Sequence, residues 1–139
     1  MSDTMLVTGA TGFIGSAIVR RLLEAGFRVR ALVRPDSPRD NLDGLDVQIA
    51  TGDIRERASL ERAMADCRGV FHAAADYRMW ARHPSEIYVS NVRGSRNVVM
   101  AAARAGVQRL VYTSSVATLG LREDGVPADE ETPASYRDM

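Results

Sequence analysis

The chain contains no lysine: all 18 of its basic residues are arginine. That absence limits the function more than any motif extends it, for a reason that emerges below. Cysteine is almost as scarce. A single residue, Cys67, excludes an internal disulfide and fits a reducing cytoplasm, which is the expected location. With only His72 and His83 beside it, no plausible zinc set can be assembled, so no metal is expected. Long hydrophobic runs are missing too. Stretches such as "VVMAAA" at 98–103 fall far short of the ~18 residues a membrane helix needs, so no membrane partner is expected. The opening "MSDT" leads into a short apolar run without a basic flank, which argues against a signal peptide. Neither sign of charge dominates, with 18 acids against 18 bases, and nothing suggests a nucleic-acid partner.

The remainder is an ordinary globular composition, 45% apolar and 26% charged. A length of 139 residues suffices for one domain with a real core and is too short for two. Short apolar runs alternate with helical periodicity, the pattern of successive βα units around a parallel sheet. Strands are expected at "MLVT" (5–8), "RVRALV" (28–33), "DVQIA" (46–50), "GVFHAA" (69–74) and "RLVYTS" (109–114). Between them, Ile14, Ile18 and Leu22 mark one face of a helix from Phe13 to Ala25, capped at Gly26. Leu60, Ala63 and Met64 mark a second helix near 56–66. A third is expected from Pro84 to Ala105, closing at Gly106. After Ser115 the pattern dissolves into an acidic stretch of turn formers, so residues 116–139 read as a loop-rich tail of the single domain 1–139.

The stretch "LVTGATGFIG" (6–15) places three glycines at three-residue spacing between the first strand and the first helix. Each has a physical task if a dinucleotide binds there. Gly9 permits the tight turn, Gly12 lets backbone approach a pyrophosphate, and Gly15 lets the helix pack close to the sheet. Free N–H groups near Phe13 and Ile14 then point at the anion. In an open parallel sheet, ligands lie beyond the carboxyl ends of the strands. Arg34 follows the second strand, Asp53 the third, Ala73, Ala74 and Ala75 the fourth, and Ser114 and Ser115 the fifth. An arginine at 34 suits the 2′-phosphate of NADP, whereas Asp36 is placed to serve a ribose hydroxyl if Arg34 is merely solvated. Asp53 suits the adenine amine, or alternatively a helix N-cap, since Glu56 stands at capping-box spacing. The alanines suit a ligand lying against the backbone, or packing under the third helix. His72 reads as a hydrogen-bonded core residue, His83 as solvent-facing, and Cys67 as a small buried hydrophobe. Tyr77, Met79 and Trp80 read either as a substrate wall or as core packing at a helix start.

"TGATGFIG", "ALVR" (31–34), "GDI" (52–54), "VFHAAA" (70–75), "NVRGSRNVV" (91–99) and "LVYTSSVATLG" (110–120) occur in the order and spacing of one family. By these motifs the chain resembles the extended short-chain dehydrogenases/reductases, in their NAD(P)-dependent epimerase/dehydratase, dihydroflavonol-reductase-like and hopanoid-associated sugar-epimerase branches. The resemblance implies a Rossmann-type three-layer αβα fold whose parallel sheet runs 3-2-1-4-5, without the family's sixth strand and substrate domain. It implies that Gly9, Thr11, Gly12, Phe13, Ile14 and Gly15 form the pyrophosphate loop. Arg34 matches the NADP 2′-phosphate reader, and Asp53 with Ile54 the adenine contacts. Ala73, Ala74 and Ala75 match the stretch beside the cofactor, and Asn91 the asparagine that braces the active-site strands. Ser115 matches the active-site hydroxyl that bonds a small-molecule substrate. NADP is the expected cofactor, with NAD the alternative.

The family's proton donor is a Tyr-x-x-x-Lys pair, in which the ammonium lowers the tyrosine pKa. None of Tyr77, Tyr88, Tyr112 and Tyr136 has a lysine four residues on. The sequence therefore reads as the N-terminal part of a longer reductase or epimerase, inactive alone, with a non-catalytic NADP sensor or an interaction module as alternatives. In the expected strand order the fifth strand is an exposed edge, from which a homodimer or aggregation is expected.

Overall fold

The computed structural model describes residues 3–135. Five strands, β1 (Thr4–Thr8), β2 (Arg28–Val33), β3 (Val47–Thr51), β4 (Gly69–His72) and β5 (Arg109–Tyr112), form one sheet in the order β3-β2-β1-β4-β5. Every pairing is parallel. The expected order and class are those observed. β4 and β5 end two residues earlier than their apolar runs suggest, although Thr113 still donates its N–H to the His72 carbonyl at 3.0 Å.

Alternation along the strands sends side chains to two cores. Leu6, Leu32 and Val70 pack on one face with Leu60 and Met64 of α2 (Arg57–Met64) and Val98, Ala101 and Ala102 of α4 (Ser95–Arg104). Val7, Val29, Ala31 and Val33 pack on the other with Val19 and Leu22 of α1 (Phe13–Glu24). The result is three layers, αβα.

Two helices differ from expectation. On α1 the buried positions are Gly15, Ser16, Val19 and Leu22, while Ile14 is 50% exposed. The helix has turned its small residues toward the sheet. The helix expected from Pro84 to Ala105 is a succession: α3 (Ser85–Tyr88), a π-helical turn (Val89–Gly94) and α4. Its close at Gly106, like that of α1 at Gly26, is left-handed, with φ of +67° and +83°. Beyond a short 3₁₀ turn (Val116–Thr118), residues 119–135 hold neither helix nor strand. Tyr136 and the end of the tail lie outside the described residues. Among the described residues, no helix is long and apolar enough to cross a membrane.

Candidate functional site

The turn after β1 is built on contacts that leave no room for a β-carbon. Gly9 has φ +67°, and a Cβ there would lie 2.7 Å from the Ala74 nitrogen. The chain after β4 thus runs directly over the turn. A Cβ on Gly15 would run into the Gly9 carbonyl, so the first turn of α1 sits on the loop that precedes it. Gly12 is different: the nearest atom to its added Cβ is the Gly9 oxygen at 3.3 Å, and the residue is exposed. The fold needs Gly9 and Gly15 bare; at Gly12 the bareness faces outward. No side chain caps α1 and no acid stands in its first turn. Its leading N–H groups are free to meet an anion. Phe13 is 87% exposed beside them. Thr11 is held by its carbonyl, which accepts from Asn41 Nδ2 at 2.8 Å.

The loops after β2 and β3 face each other across a cleft of about 550 Å³, lined among others by Arg34, Asp36, Gly52, Asp53, Arg55 and Arg62. A smaller hollow of about 320 Å³, around Arg30 and Gln48, shares only Thr51, Ser59 and Arg62 with it and contains none of the glycine-loop residues. Arg55 is committed to Asp53, with Nη2 to Oδ2 at 2.6 Å, whereas Arg34 and Arg62 make no side-chain ion pair among the described residues. The Asp53 carboxyl is held below its ordinary range, first by the hydrogen bond from the Arg55 side chain. It does not cap α2. The helix starts at Arg57 behind Glu56, and the Asp53 Oδ1 accepts instead from the Arg55 backbone at 2.8 Å. The capping-box reading of Asp53 and Glu56 is therefore corrected: a neighbouring guanidinium has captured the carboxylate.

Past β4, Ala73 donates its N–H to the Thr8 carbonyl at 3.3 Å, and Ala74 donates to the Thr8 hydroxyl at 3.2 Å. Ala75 is exposed, so packing does not explain its small size. Asn91, in the π-helical turn, clamps the next residue at both backbone groups: Oδ1 accepts from Asp76 N at 2.7 Å and Nδ2 donates to Asp76 O at 2.8 Å. Ser115 stands at the same carboxyl edge of the sheet, where its Oγ accepts from Ala117 N at 3.2 Å. The structure brings Gly9, Ala73 and Ala74 together, Arg34 with Asp53, and Asn91 with Asp76. Ser115 makes no contact with these groups.

His72 is 1% exposed and hydrogen-bonded at both ring nitrogens, to Thr8 Oγ1 at 2.6 Å and Ser95 Oγ at 3.0 Å. Burial pushes its pKa down to about 4. Cys67 is buried and His83 exposed, as expected. Tyr77, Met79 and Trp80 are 90%, 102% and 77% exposed, so core packing at a helix start is not their role. No group of three or more metal-ligating side chains occurs among the described residues. The sequence reading did not single out Thr8, Asn41, Ser59 and Asn97, which hold site loops through hydrogen bonds, or Ser95, which bonds His72 in β4. Asn97 lies within the quoted "NVRGSRNVV", and Thr8 directly precedes Gly9. Position inside a motif was their only signal.

A parallel sheet ordered 3-2-1-4-5, with a bare glycine turn and an uncapped helix at the carboxyl end of its first strand, defines a Rossmann-type α/β domain. The chain belongs to the NAD dependent epimerase/dehydratase family, whose profile matches residues 5–138. It is 48% identical over 130 residues to a Synechocystis sp. protein named for dihydroflavonol 4-reductase, covering 94% of this chain and 38% of that one. It is similar to the crystal structure of gox2253, at 51% identity and TM-score 0.90, over 96% of this chain and 41% of that one. A Thermus thermophilus UDP-glucose 4-epimerase, solved as a complex with NAD, matches at 30% identity and TM-score 0.79, over 95% and 44%. The chain spans about two fifths of the length of these proteins.

Proposed function

We propose that this chain is the NADP(H)-binding part of an NAD(P)-dependent reductase or epimerase that acts on a sugar-like or ketone substrate. The observation that carries the reading is the turn after β1: Gly9 and Gly15 are bare for the fold, Gly12 is bare toward solvent, and the helix behind it is uncapped. Such a cradle takes a pyrophosphate on the free N–H groups near Phe13 and Ile14 at the start of α1. Arg34 takes the 2′-phosphate, supported by its standing in the cleft without an ion pair among the described residues. Asp53 and Ile54 hold the adenine, Ala73 to Ala75 run beside the nicotinamide half, and Asn91 fixes the backbone just past them. When bound, the nicotinamide ring supplies or accepts hydride. Ser115, whose hydroxyl oxygen accepts from the Ala117 N–H, bonds the substrate oxygen. The names of the relatives, a reductase and an epimerase, fit this pair of reaction classes. Without lysine, the chain holds no Tyr-x-x-x-Lys pair, and it turns nothing over by itself.

The test is thermal unfolding in the presence of NADPH or NADH. Ligand at 100 times its dissociation constant adds about 2.7 kcal/mol of stability to the state that binds it. NADPH is expected to raise the midpoint, NADH to do so far less, and Arg34→Ala to erase the difference. Equal shifts would move the assignment to NAD, with Asp36 as the ribose reader. No shift with either would sink the binding reading, and carbonyl-dependent consumption of NADPH would sink the predicted inactivity.

A further inference from the structure

The helical stretch 85–104 grips the loops of two neighbouring strands. Asn91 holds the segment after β4, as described. Two residues further along hold the loop after β3. Asn97 donates from Nδ2 to the Ile54 carbonyl at 3.0 Å and to the Arg55 carbonyl at 3.3 Å. One turn earlier, Gly94 leaves a hollow filled by Ile54: a Cβ there would sit 2.7 Å from Ile54 Cδ1. On the other side of the loop, the Ser59 hydroxyl accepts from the Asp53 N–H at 3.0 Å. The Asn97 amide nitrogen thus spends both of its hydrogen bonds on the backbone of this loop, and the Asp53 carboxylate is in turn aimed by Arg55. The chain of contacts therefore runs from Asn97, through the Arg55 backbone, to the orientation of the Asp53 carboxylate.

We propose that Asn97 is a positioning residue for the adenine subsite, holding Ile54 and Arg55 so that the Asp53 carboxylate faces the exocyclic amine of the base. The proposal rests on the dinucleotide reading above. It requires that Asn97 act on recognition of the base and leave the pyrophosphate cradle, which follows β1 and is separated from the loop after β3 by β2, unaffected.

Calorimetric titration of the chain with 2′,5′-ADP and with its hypoxanthine counterpart, in which a carbonyl replaces the amine, separates these roles. The unsubstituted chain is expected to prefer the adenine nucleotide. Asn97→Ala should weaken 2′,5′-ADP about tenfold, the worth of a typical hydrogen bond and a half, and remove most of the preference. Asn97→Asp, which sets acceptor oxygens against two carbonyls, should weaken it at least as much. Asn97→Gln keeps both donors on a longer stem, should recover part of the preference, and serves if the alanine variant does not fold. A lowered unfolding midpoint with an unchanged adenine-to-hypoxanthine ratio would overturn the proposal, as would equal affinity of the unsubstituted chain for both nucleotides. Failure of the unsubstituted chain to bind either one would remove the dinucleotide reading itself, and the proposal with it.

Discussion

The tautomer of His72 follows from its neighbours. The Thr8 hydroxyl oxygen already accepts from the Ala74 N–H, so its proton is directed at His72 Nδ1, 2.6 Å away. Nδ1 is then the acceptor, and the ring proton sits on Nε2, donated to Ser95 Oγ. A second proton on Nδ1 would place a charge in a site with 1% exposure, and that burial is why the folded pKa falls from 6.5 to about 4. Because the folded value is the lower one, the unfolded chain takes the proton first as the pH drops. The contribution of neutral His72 is intact above about pH 6.5, declines from there to about pH 4, and is exhausted below that. By linkage the total is about 3 kcal/mol, most of it already lost at pH 4.5. Urea unfolding at pH 7 and pH 4.5 should show that loss in the unsubstituted chain, and a much smaller one in His72→Gln, which has no proton to gain. Asp53 and Asp76, whose carboxyls are held below the ordinary range first by hydrogen bonds from Arg55 and Arg78, titrate lower still and are shared by both proteins. Equal acid sensitivity in the two would mean that His72 is not the group responsible.

At the scale of elements, α1 shows how a binding helix and a packing helix are made from one segment. Gly15 has to be bare because the helix rests on the Gly9 carbonyl; Gly12 meets only that oxygen, at 3.3 Å. Alanine at the two positions should therefore separate stability from binding. Gly15→Ala is expected to cost about 1–3 kcal/mol of stability by overpacking. Gly12→Ala, with φ −80° and ψ 175° that any residue adopts, should cost less and yet lower NADPH affinity more per unit of stability lost. Thermal midpoints with and without NADPH measure both; the reverse ranking would mean that the loop faces no ligand. The same helix marks where the sequence is readable. Strand order follows from the family resemblance, whereas the glycine turn and the left-handed closes at Gly26 and Gly106 follow from local chemistry, because few residues other than glycine fit there. The buried stripe did not, since hydrophobic periodicity selects Ile14, Ile18 and Leu22, whereas close approach to the sheet selects Gly15, Ser16 and Val19. The capping alternative for Asp53 fails because the Arg55 side chain takes its carboxylate and α2 starts only at Arg57, a choice of partner that residue spacing does not decide. The grip of Asn97 on residues more than forty positions away has no local signal beyond its place in the motif at 91–99.

At the scale of the whole molecule, the sheet has two edges of unequal character. β3 borders the charged cleft that Arg62 and Arg30 help to line. β5 has no neighbour on its outer side among the described residues, and Val111 and Tyr112 are 43% and 52% exposed. Thr113 directs its N–H to β4, so strict alternation turns the N–H groups of Leu110 and Tyr112 away from the sheet. A strand that is apolar on its face and unpaired along its side is a template for another strand. We propose that the isolated chain self-associates through β5, whereas in proteins more than twice its length, like those it matches, further chain is available to cover that edge. Light scattering over a hundredfold concentration range should show mass rising with concentration. Val111→Lys, which places a charge on the exposed face without touching the outward N–H groups of Leu110 and Tyr112, should reduce association while leaving the NADPH-induced rise in the unfolding midpoint as it was. A concentration-independent monomer would show that the edge is protected in a way the strand order alone does not reveal. Association that survives Val111→Lys would place the contact on another surface, with the apolar outer positions Tyr88, Val92, Val99 and Met100 of the helical stretch 85–104 the next to substitute.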